Sequence, residues 1–337
     1  MNVLVLGGTR FLGRHIVEAL ASNGDRVVCF HRGETRSPLP AGVEERYGDR
    51  NVDLSIVAAE RWDAIVDTSC QRPEQMERSL GLRTDRYVFI STVNVYADLS
   101  RRGITESAPT VEAFDPADEA ASYGGNKAAC ERLLLRRYPR EGLVLRPGLI
   151  VGKWDPTGRF TYWCSRLARG GRVLAPGDPS RPIQFIDAAD IADFVTRAFA
   201  NETTGTFTIV GPAAPMTMGQ LLEVCASVAA ARVAPAAEIF WADDTFLLER
   251  NVAQWTELPL WLAEPQYAGI LELNNAKALA AGLHTRPAAQ TIAAVLDWIE
   301  NDPGAVQAGM TAEREAGLLD ELTHRRDGYE VGQEDVT

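Results

Sequence analysis

The chain has 337 residues, a formal net charge of −12 and an isoelectric point near 5.0. A nucleic-acid-binding surface needs clustered positive charge, so this acidic balance argues against a nucleic-acid partner. The five cysteines form no Cys-x-x-Cys pair, and no His, Asp or Glu spacing suggests a ligand set, so we expect neither a disulfide framework nor a metal site.

No stretch of the sequence approaches the roughly 20 apolar residues of a membrane-spanning helix. The N-terminus lacks the basic region and the long apolar core of a signal peptide. Scattered reduced thiols are typical of the cytosol. We therefore expect a cytoplasmic protein without a membrane partner.

A glycine-rich turn follows the first predicted strand. Residues 3–6 are an apolar run, residues 7–13 read Gly-Gly-Thr-Arg-Phe-Leu-Gly, and apolar residues recur at helical spacing over 15–20. Such a turn presents backbone N–H groups at a helix N-terminus, where the helix dipole favours an anion. The expected anion is the pyrophosphate of a dinucleotide. The candidate cofactor-binding residues of this turn are Gly7, Gly8, Thr9, Arg10, Phe11, Leu12 and Gly13.

Arg10 stands where the dinucleotide-binding fingerprint has its middle glycine. We expect its guanidinium group to lie beside the phosphates. The alternative for the whole stretch is an ordinary strand-to-helix turn that binds nothing.

The second predicted strand, residues 26–30, runs into His31, Arg32 and Arg36. NAD-binding units usually end this strand with an acidic residue that binds the adenosine ribose. Two arginines and no carboxylate at the tip favour a 2′-phosphate, and therefore NADP over NAD. Two alternatives stay open: Glu34 turns inward and NAD is the cofactor, or the loop is solvated and its arginines contact nothing.

Further cofactor contacts are predicted where the next two strands end. Asp49, with its neighbour Arg50, follows the third strand, where an acidic residue commonly faces the adenine. Thr68 and Ser69 end the fourth strand, residues 64–69, and are candidates for ribose and phosphate contacts. The carboxyl ends of parallel strands lie along one edge, which is where nucleotides bind in such sheets.

Tyr123 and Lys127 lie four residues apart at the start of a predicted helix and share one face of it. An ammonium group near a phenol favours the phenolate, so Lys127 is expected to lower the pKa of Tyr123. A tyrosine tuned in this way moves a proton to or from a substrate oxygen near neutral pH. Thr92 ends the fifth strand, and its hydroxyl is expected to bond the same oxygen. Thr92, Tyr123 and Lys127 are therefore the candidate catalytic residues for hydride transfer at a carbonyl or alcohol carbon.

Strands and helices alternate in the first half of the chain, which predicts an α/β fold with a Rossmann-type doubly wound parallel sheet. We expect this dinucleotide-binding domain to comprise residues 1–152 and about 186–211. A smaller, mostly helical C-terminal substrate lobe is expected from residues 153–185 and 212–326. Residues 327–337 are polar and acidic and predict a flexible tail.

Taken together, these motifs resemble the extended short-chain dehydrogenase/reductases, the group that includes the NAD-dependent epimerase/dehydratase family. The resemblance rests on the glycine turn, Asp49, residues 91–96 (Ser-Thr-Val-Asn-Val-Tyr), residues 123–127 (Tyr-Gly-Gly-Asn-Lys) and residues 146–152. It covers about residues 1–210.

The resemblance implies a role for each residue of the motifs. Tyr123 is implied as the acid/base, Lys127 as its partner and a ribose ligand, and Thr92 as the third member of the set. Cofactor contacts are implied at Ser91 and at Pro147, the latter beside the nicotinamide amide. Members of this group often form dimers through such helices, so the resemblance implies a homodimer whose face would be the predicted helices at residues 73–82 and 128–136.

Two departures from the family pattern narrow the expected chemistry. Val93 and Asn94 stand where dehydratases carry acidic residues, which argues against elimination of water. Leu149 stands where sugar-nucleotide enzymes usually have an Asn, which weakens the case for a sugar-nucleotide substrate. Candidates for substrate contact are Asn94, Trp154 and Tyr162; the alternative for the two aromatic residues is ordinary packing.

The sequence therefore favours an NAD(P)H-dependent oxidoreductase that transfers hydride at a carbonyl, imine or secondary alcohol of a small molecule, with NADP as cofactor and NAD as the alternative. An NAD-dependent sugar-nucleotide epimerase that uses the same three residues is the second hypothesis. A non-catalytic RNA-binding member of the family is the third, and the acidic charge argues against it.

Overall fold

The computed structural model describes residues 1–35, 37–112, 119–232, 235–302 and 308–334, except for the side chains of 119–121 and 326–334. The strands, in chain order, are β1 (Asn2–Leu6), β2 (Arg26–His31), β3 (Glu44–Tyr47), β4 (Arg61–Asp67), β5 (Arg83–Ile90), β6 (Gly142–Pro147), β7 (Ile150–Val151), β8 (Gly171–Pro176), β9 (Pro182–Asp187), β10 (Gly205–Ile209), β11 (Gly211–Thr217) and β12 (Ala237–Ala242). The α-helices are α1 (Phe11–Ser22), α2 (Ser55–Ala58), α3 (Pro73–Ser79), α4 (Glu119–Arg137), α5 (Arg159–Ala168), α6 (Ala188–Ala200), α7 (Met218–Ala230), α8 (Asp244–Glu249), α9 (Ala276–Ala280), α10 (Ala288–Asn301) and α11 (Ala312–Glu334).

The chain divides into two compact units. Unit 1 comprises residues 1–151, 184–214 and 266–286, and unit 2 comprises 152–183, 215–265 and 287–337. Unit 1 is built on a seven-stranded sheet in the order β10-β6-β5-β4-β1-β2-β3. All of its strand pairs are parallel, so the predicted Rossmann-type sheet is confirmed.

The interior strand β1 explains why helices cover both faces of this sheet. Successive side chains of a strand point to opposite faces. Val3 and Val5 accordingly lie in one apolar cluster, and Leu4 and Leu6 lie in another. Because all four side chains are fully buried, neither face can be left to water.

The helices that cover the two faces are supplied by different parts of the chain. Helices α1 and α6 contact each other on one face, where Ile16 and Phe194 are buried. Helices α3 and α4 contact each other on the other face, where Met76 and Leu134 are buried. This doubly wound arrangement brings the carboxyl ends of all seven strands to one edge.

The division of the chain differs from the predicted one at residues 266–286, which belong to unit 1 rather than to the C-terminal lobe. The Gln184 side chain bonds both the N–H and the carbonyl of Leu273, at 2.8 and 2.9 Å. Arg286 pairs with Asp190 at 2.7 Å. These polar contacts join segments that are far apart in sequence, and no local pattern marks them.

Unit 2 is smaller and mostly helical, with α5, α7 and α10 packed against one another. It also holds a parallel pair of strands, β8 and β12, which the sequence analysis did not identify. Helix α11 continues to Glu334, so the predicted flexible tail at 327–337 is helical as far as the described residue 334. None of the helices in the described ranges is long and apolar enough to cross a membrane.

Candidate active site

The turn between β1 and α1 depends on its glycines because the backbone approaches its neighbours closely there. Gly7 has a φ of +95°, a conformation that side chains rarely adopt. A Cβ on Gly13 would lie 2.1 Å from the carbonyl oxygen of Gly7, and one on Gly8 would lie 2.5 Å from the Cys29 sulfur. Only glycine at these positions lets α1 begin directly against the end of β1.

The N-terminus of α1 presents backbone donors, which fits a phosphate-bearing cofactor. The first four N–H groups of a helix lack partners within the helix. Within the described residues, no side chain caps this end of α1, and its first turn carries no acidic residue. Arg10, at the N-cap position, is exposed, whereas Thr9 and Leu12 are buried. The phosphate contacts predicted for the turn residues stay a prediction, and the geometry favours backbone N–H groups for them, with Arg10 as the exposed charge. Phe11 follows at a φ of +35°.

The two residues that follow β4 carry hydroxyl groups, one of which bonds the glycine turn. The Thr68 hydroxyl donates to the carbonyl oxygen of Gly7 at 2.8 Å. The Ser69 hydroxyl accepts from Arg50 at 2.9 Å. Both hydroxyls, which were predicted to contact the cofactor, make hydrogen bonds within the protein.

Arg50 takes a role other than the predicted cofactor contact, because its guanidinium group is buried in an ion pair with Asp67. The two groups form parallel hydrogen bonds of 2.6 and 2.7 Å. Asp49, its neighbour, accepts hydrogen bonds from the backbone and side chain of Asn51, each at 2.8 Å. The sequence analysis missed Asp67, although a carboxylate at the end of a buried strand is itself a signal.

The tip of β2 carries two carboxylate partners: Glu34, which the sequence left open as an alternative, and Glu45, which was not predicted there. His31 Nε2 lies 2.9 Å from a Glu45 oxygen, and Arg32 pairs with Glu34 at 2.7 Å. Arg36, the remaining candidate for the 2′-phosphate, lies outside the described residues. The expectation of a tip without carboxylates was wrong, so the argument for NADP over NAD loses that premise.

Thr92 and Tyr123 are brought together, as predicted. Thr92 is buried, caps the 3₁₀ turn Val93–Val95 and accepts from the Asn94 N–H at 3.2 Å. Helix α4 packs on this turn, because Gly124 lets it approach: a Cβ on Gly124 would lie 2.1 Å from the Asn94 carbonyl oxygen. Tyr123 is 39% exposed, and its phenol interacts with the Thr92 side chain as a hydrogen-bond partner.

Lys127 lies one turn further along α4 and is almost completely buried. Its ammonium group donates to the main-chain carbonyls of Cys70 and Ile90, both at 2.8 Å. The nitrogen lies 6.0 Å from the centre of the Tyr123 ring. The end of β4, the end of β5 and the start of α4 are thus tied together by one side chain.

The pKa shifts differ from the prediction made for the Tyr123–Lys127 pair. Burial raises the pKa of the Tyr123 phenol, and the hydrogen bond with Thr92 opposes that rise. Burial lowers the pKa of the Lys127 ammonium group, while Cys70 and Asp67 oppose that fall. In this structure burial, rather than Lys127, determines the direction of the shift at Tyr123, so the phenol keeps its proton at neutral pH.

A second buried ion pair lies beside the catalytic candidates. Ser91, predicted to contact the cofactor, donates to Glu131 at 2.5 Å, and Arg146 holds Glu131 with hydrogen bonds of 2.6 and 3.0 Å. The sequence analysis did not name Glu131, although it follows Lys127 by four residues on the same helix face. Pro147, adjacent to Arg146, is buried at the end of β6.

The predicted substrate residues fall in different units. Asn94 is half-buried in unit 1, on the 3₁₀ turn beside Thr92. Tyr162 lies in unit 2, where it is 3% exposed and its ring meets that of Trp163 edge-on at 4.8 Å. This burial supports the packing alternative for Tyr162. Trp154, also in unit 2, has a φ of +65°, and its substrate role stays a prediction.

Fold and site together define a dinucleotide-binding α/β protein with the Thr, Tyr and Lys set of a short-chain dehydrogenase/reductase. The model of the NAD dependent epimerase/dehydratase family matches residues 3–75 and 74–210, which is more than half of the chain. The chain belongs to this family. That membership places it among the NAD(P)-dependent enzymes of the extended short-chain dehydrogenase/reductase superfamily.

Comparison with known proteins gives distant relatives. The chain is 26% identical to 2'-dehydrokanamycin reductase from Streptomyces kanamyceticus over 60% of its own length and 59% of that protein. It is 25% identical to dTDP-6-deoxy-L-talose 4-dehydrogenase (NAD(P)(+)) from Kitasatospora kifunensis over 66% of its own length and 77% of that protein. The matched region thus spans about three fifths of the first relative.

Among solved structures, the Bordetella bronchiseptica enzyme WbmH in complex with NAD+ has a similar fold. The TM-score is 0.66 at 17% sequence identity, over 89% of this chain and 99% of that one. At this identity the likeness concerns the fold alone.

Proposed function

We propose that the protein is an NAD(P)H-dependent oxidoreductase that acts on a carbonyl, imine or secondary alcohol of a small molecule. One observation carries this proposal: the Thr92 hydroxyl and the Tyr123 phenol lie side by side, with Lys127 one helical turn away. Lys127 reaches the carbonyl of Cys70, and Gly7 approaches Ser69, so the glycine turn and the three side chains share one edge of the sheet.

The cofactor is proposed to bind along this edge, with the backbone donors of the glycine turn holding its pyrophosphate. When bound, the nicotinamide supplies or accepts the hydride. Two of the three N–H groups of Lys127 go to main-chain carbonyls, which leaves the third, within the described part of the chain, for a ribose hydroxyl. Arg10, exposed at the turn, supports NADP as the proposed cofactor, with NAD as the alternative.

Tyr123 is proposed to move the proton that balances hydride transfer. A phenol with a raised pKa holds its proton at neutral pH, and it can therefore donate to the oxygen or nitrogen that gains charge during reduction. Thr92 holds the same atom through its hydroxyl. Reduction is consequently the direction that the resting protonation state favours.

The relatives support net redox chemistry in preference to epimerisation. One is named as a reductase and the other as a dehydrogenase. Val93 and Asn94 stand where acidic residues would support dehydration, so loss of water is not proposed.

The proposal is tested by following oxidation of NADPH and NADH by the purified protein across a panel of ketones, aldehydes and imines. Wild-type protein is expected to turn over at least one of them, and Tyr123→Phe is expected to lower kcat by about 10²–10⁴-fold with cofactor binding intact. Tyr267→Phe is the matched control, because Tyr267 is also 39% exposed in unit 1. Full turnover in Tyr123→Phe would contradict the assignment, and a cofactor retained through purification without net redox would favour an epimerase.

A further inference from the structure

The buried pair Arg50–Asp67 lies next to the site but has no part in the proton transfer described above. Asp67 ends β4 and is fully buried, and Arg50 is 7% exposed. Besides the two hydrogen bonds that join them, the Tyr87 hydroxyl donates to Asp67 at 2.8 Å. The Ser79 hydroxyl accepts from both Arg50, at 3.1 Å, and Tyr87, at 3.0 Å. Arg50 and Tyr87 thus bond the carboxylate directly, and Ser79 links these two side chains to each other.

The carboxylate of Asp67 also orders the main chain that follows it. Its Oδ1 atom accepts from the N–H of Ser69 at 3.2 Å and from the N–H of Cys70 at 3.0 Å. The carbonyl oxygen of the same residue, Cys70, accepts from the Lys127 ammonium group at 2.8 Å. The Asp67 carboxylate therefore binds the N–H of Cys70, and the Lys127 ammonium group binds the carbonyl of the same residue.

We propose that Asp67, fixed by Arg50, is the positioning residue for Lys127: it sets the Cys70 carbonyl that anchors the ammonium group and supplies the negative charge that keeps that group protonated. This inference rests on the proposed function, because it gives Lys127 its task beside Tyr123. It reaches beyond that function by assigning a role to two buried residues that the proposed proton transfer does not use.

The electrostatic part of the proposal follows from burial. An ammonium group taken out of water loses hydration and tends to release its proton unless a negative charge lies near. The titratable or charged groups around Lys127 are Asp67, Cys70, Cys130, Arg50 and Tyr123. The hydrogen bond with Cys130, together with burial, raises the pKa of the Cys70 thiol, so this thiol is neutral at physiological pH. Arg50 is positive, which leaves Asp67 as the anion of this group.

Asp67 itself stays ionised. Burial alone would raise the pKa of its carboxyl, but the charge and hydrogen bonds of Arg50 and the bond from Tyr87 lower it below its usual value. The charge is therefore present at every pH at which the enzyme is expected to work.

The proposal is tested on the lysine side chains, which are only three: Lys127, Lys153 and Lys277. Full-length protein labelled with ¹⁵N in the lysine ammonium groups is titrated by NMR, with the signals assigned through Lys153→Arg and Lys277→Arg. In Asp67→Asn the pKa of Lys127 is expected to fall by about one unit or more relative to wild type, while the other two lysines are unchanged. In the same variant kcat is expected to fall about tenfold, with KM for the carbonyl substrate within about twofold of wild type.

Asp63→Asn is the matched control, because Asp63 lies near the opposite end of the same strand, is exposed and accepts a hydrogen bond from the Asn2 N–H at 2.7 Å. It is expected to leave Lys127 and kcat unchanged. Should Asp67→Asn not fold, Tyr87→Phe removes a single hydrogen bond to the carboxylate without changing charge. It is expected to speed hydrogen exchange of the Lys127 ammonium group by about twofold or more.

An Asp67→Asn protein in which Lys127 titrates as in wild type, or a Tyr87→Phe protein with unchanged exchange at Lys127, would overturn the inference. Neither measurement needs substrate or turnover. Failure of the wild type to reduce any carbonyl would therefore count against the proposed function alone, and an unshifted Lys127 in an active enzyme would count against the positioning role alone.

Discussion

Two parts of the same sheet edge each carry an ion pair between a basic side chain and a carboxylate. One pair is exposed to solvent and the other is buried. At the tip of β2, Arg32 and Glu34 pair while their side chains are 58% and 63% exposed. Beside the catalytic candidates, the side chains of Glu131 and Arg146 are 4% and 7% exposed. Exposed pairs contribute little to stability, and breaking a buried pair leaves a charge without compensation.

The buried pair fixes the geometry of its surroundings, whereas the exposed pair at the tip of β2 can be substituted with little effect on the fold. The buried pairs are bonded to the surroundings of Thr92 and Lys127: Glu131 accepts from Ser91, and Asp67 is linked to Lys127 through Cys70. The proposed proton transfer depends on the positions of Thr92 and Lys127. The exposed pairs sit at the tip of β2, where the prediction places the adenosine end of the cofactor. Substitutions at the tip are therefore expected to alter cofactor preference at little cost to folding.

The largest expected effect is on stability, from Glu131→Ala. This change leaves the Arg146 guanidinium buried without its carboxylate, and the free energy of unfolding should fall by about 3–5 kcal/mol. Glu202→Ala is the control, because its pair with Arg86 has the Glu202 side chain 81% exposed, and a loss of at most about 1 kcal/mol is expected. Denaturant unfolding of both variants measures the difference, and equal losses would contradict the distinction between the two kinds of pair.

A second test uses pH and asks what burial does at the site itself. Since burial raises the pKa of the Tyr123 phenol from its ordinary value, reduction, which needs the protonated phenol, should be nearly independent of pH through the neutral range. Oxidation of the corresponding alcohol needs the phenolate, so its kcat should rise about tenfold for each pH unit below that pKa. Paired pH profiles of the two directions measure this asymmetry. A plateau of the oxidation rate below about pH 8 would mean that Lys127 outweighs burial once cofactor is bound.

The smallest expected effect is on cofactor choice at the exposed positions. Arg10→Gly and Arg32→Ala should each weaken NADPH relative to NADH by several-fold to about tenfold, with kcat for NADH unchanged. Dissociation constants for both cofactors, measured by fluorescence, give the ratio. A ratio unaltered in both variants would remove these two arginines as the basis for NADP, and unfolding midpoints close to wild type are expected throughout.

The parts of the fold that could be predicted are those that depend on residues close together in sequence. The apolar run of β1, the glycine turn after it and the four-residue spacing of Tyr123 and Lys127 each lie within a few residues. Contacts over long separations were missed: Arg50 meets Asp67 across 17 residues, and Gln184 meets Leu273 across 89. The sequence around one residue of such a pair does not indicate which distant residue it contacts.

The site was predicted in outline but not in its electrostatics. Spacing alone suggested that Lys127 lowers the pKa of Tyr123, because charge was weighed and burial was not. The structure adds the burial of Lys127, the partial desolvation of the Tyr123 phenol and the two carbonyls that hold the ammonium group. Likewise, a tip of β2 without carboxylates was inferred from neighbours in sequence, whereas Glu45 comes from the adjacent strand β3.

Because main-chain oxygens hold Lys127, the site should tolerate amino-acid substitution at the residues that supply those oxygens. Every amino acid carries a main-chain carbonyl. Positions 70 and 90 can therefore accept other side chains of similar size while both hydrogen bonds of Lys127 are kept. The constraint then falls on backbone shape instead of on chemical identity. In a mutational scan of position 70, small uncharged residues should preserve activity. Proline should abolish it, because proline lacks the backbone N–H that donates to Asp67.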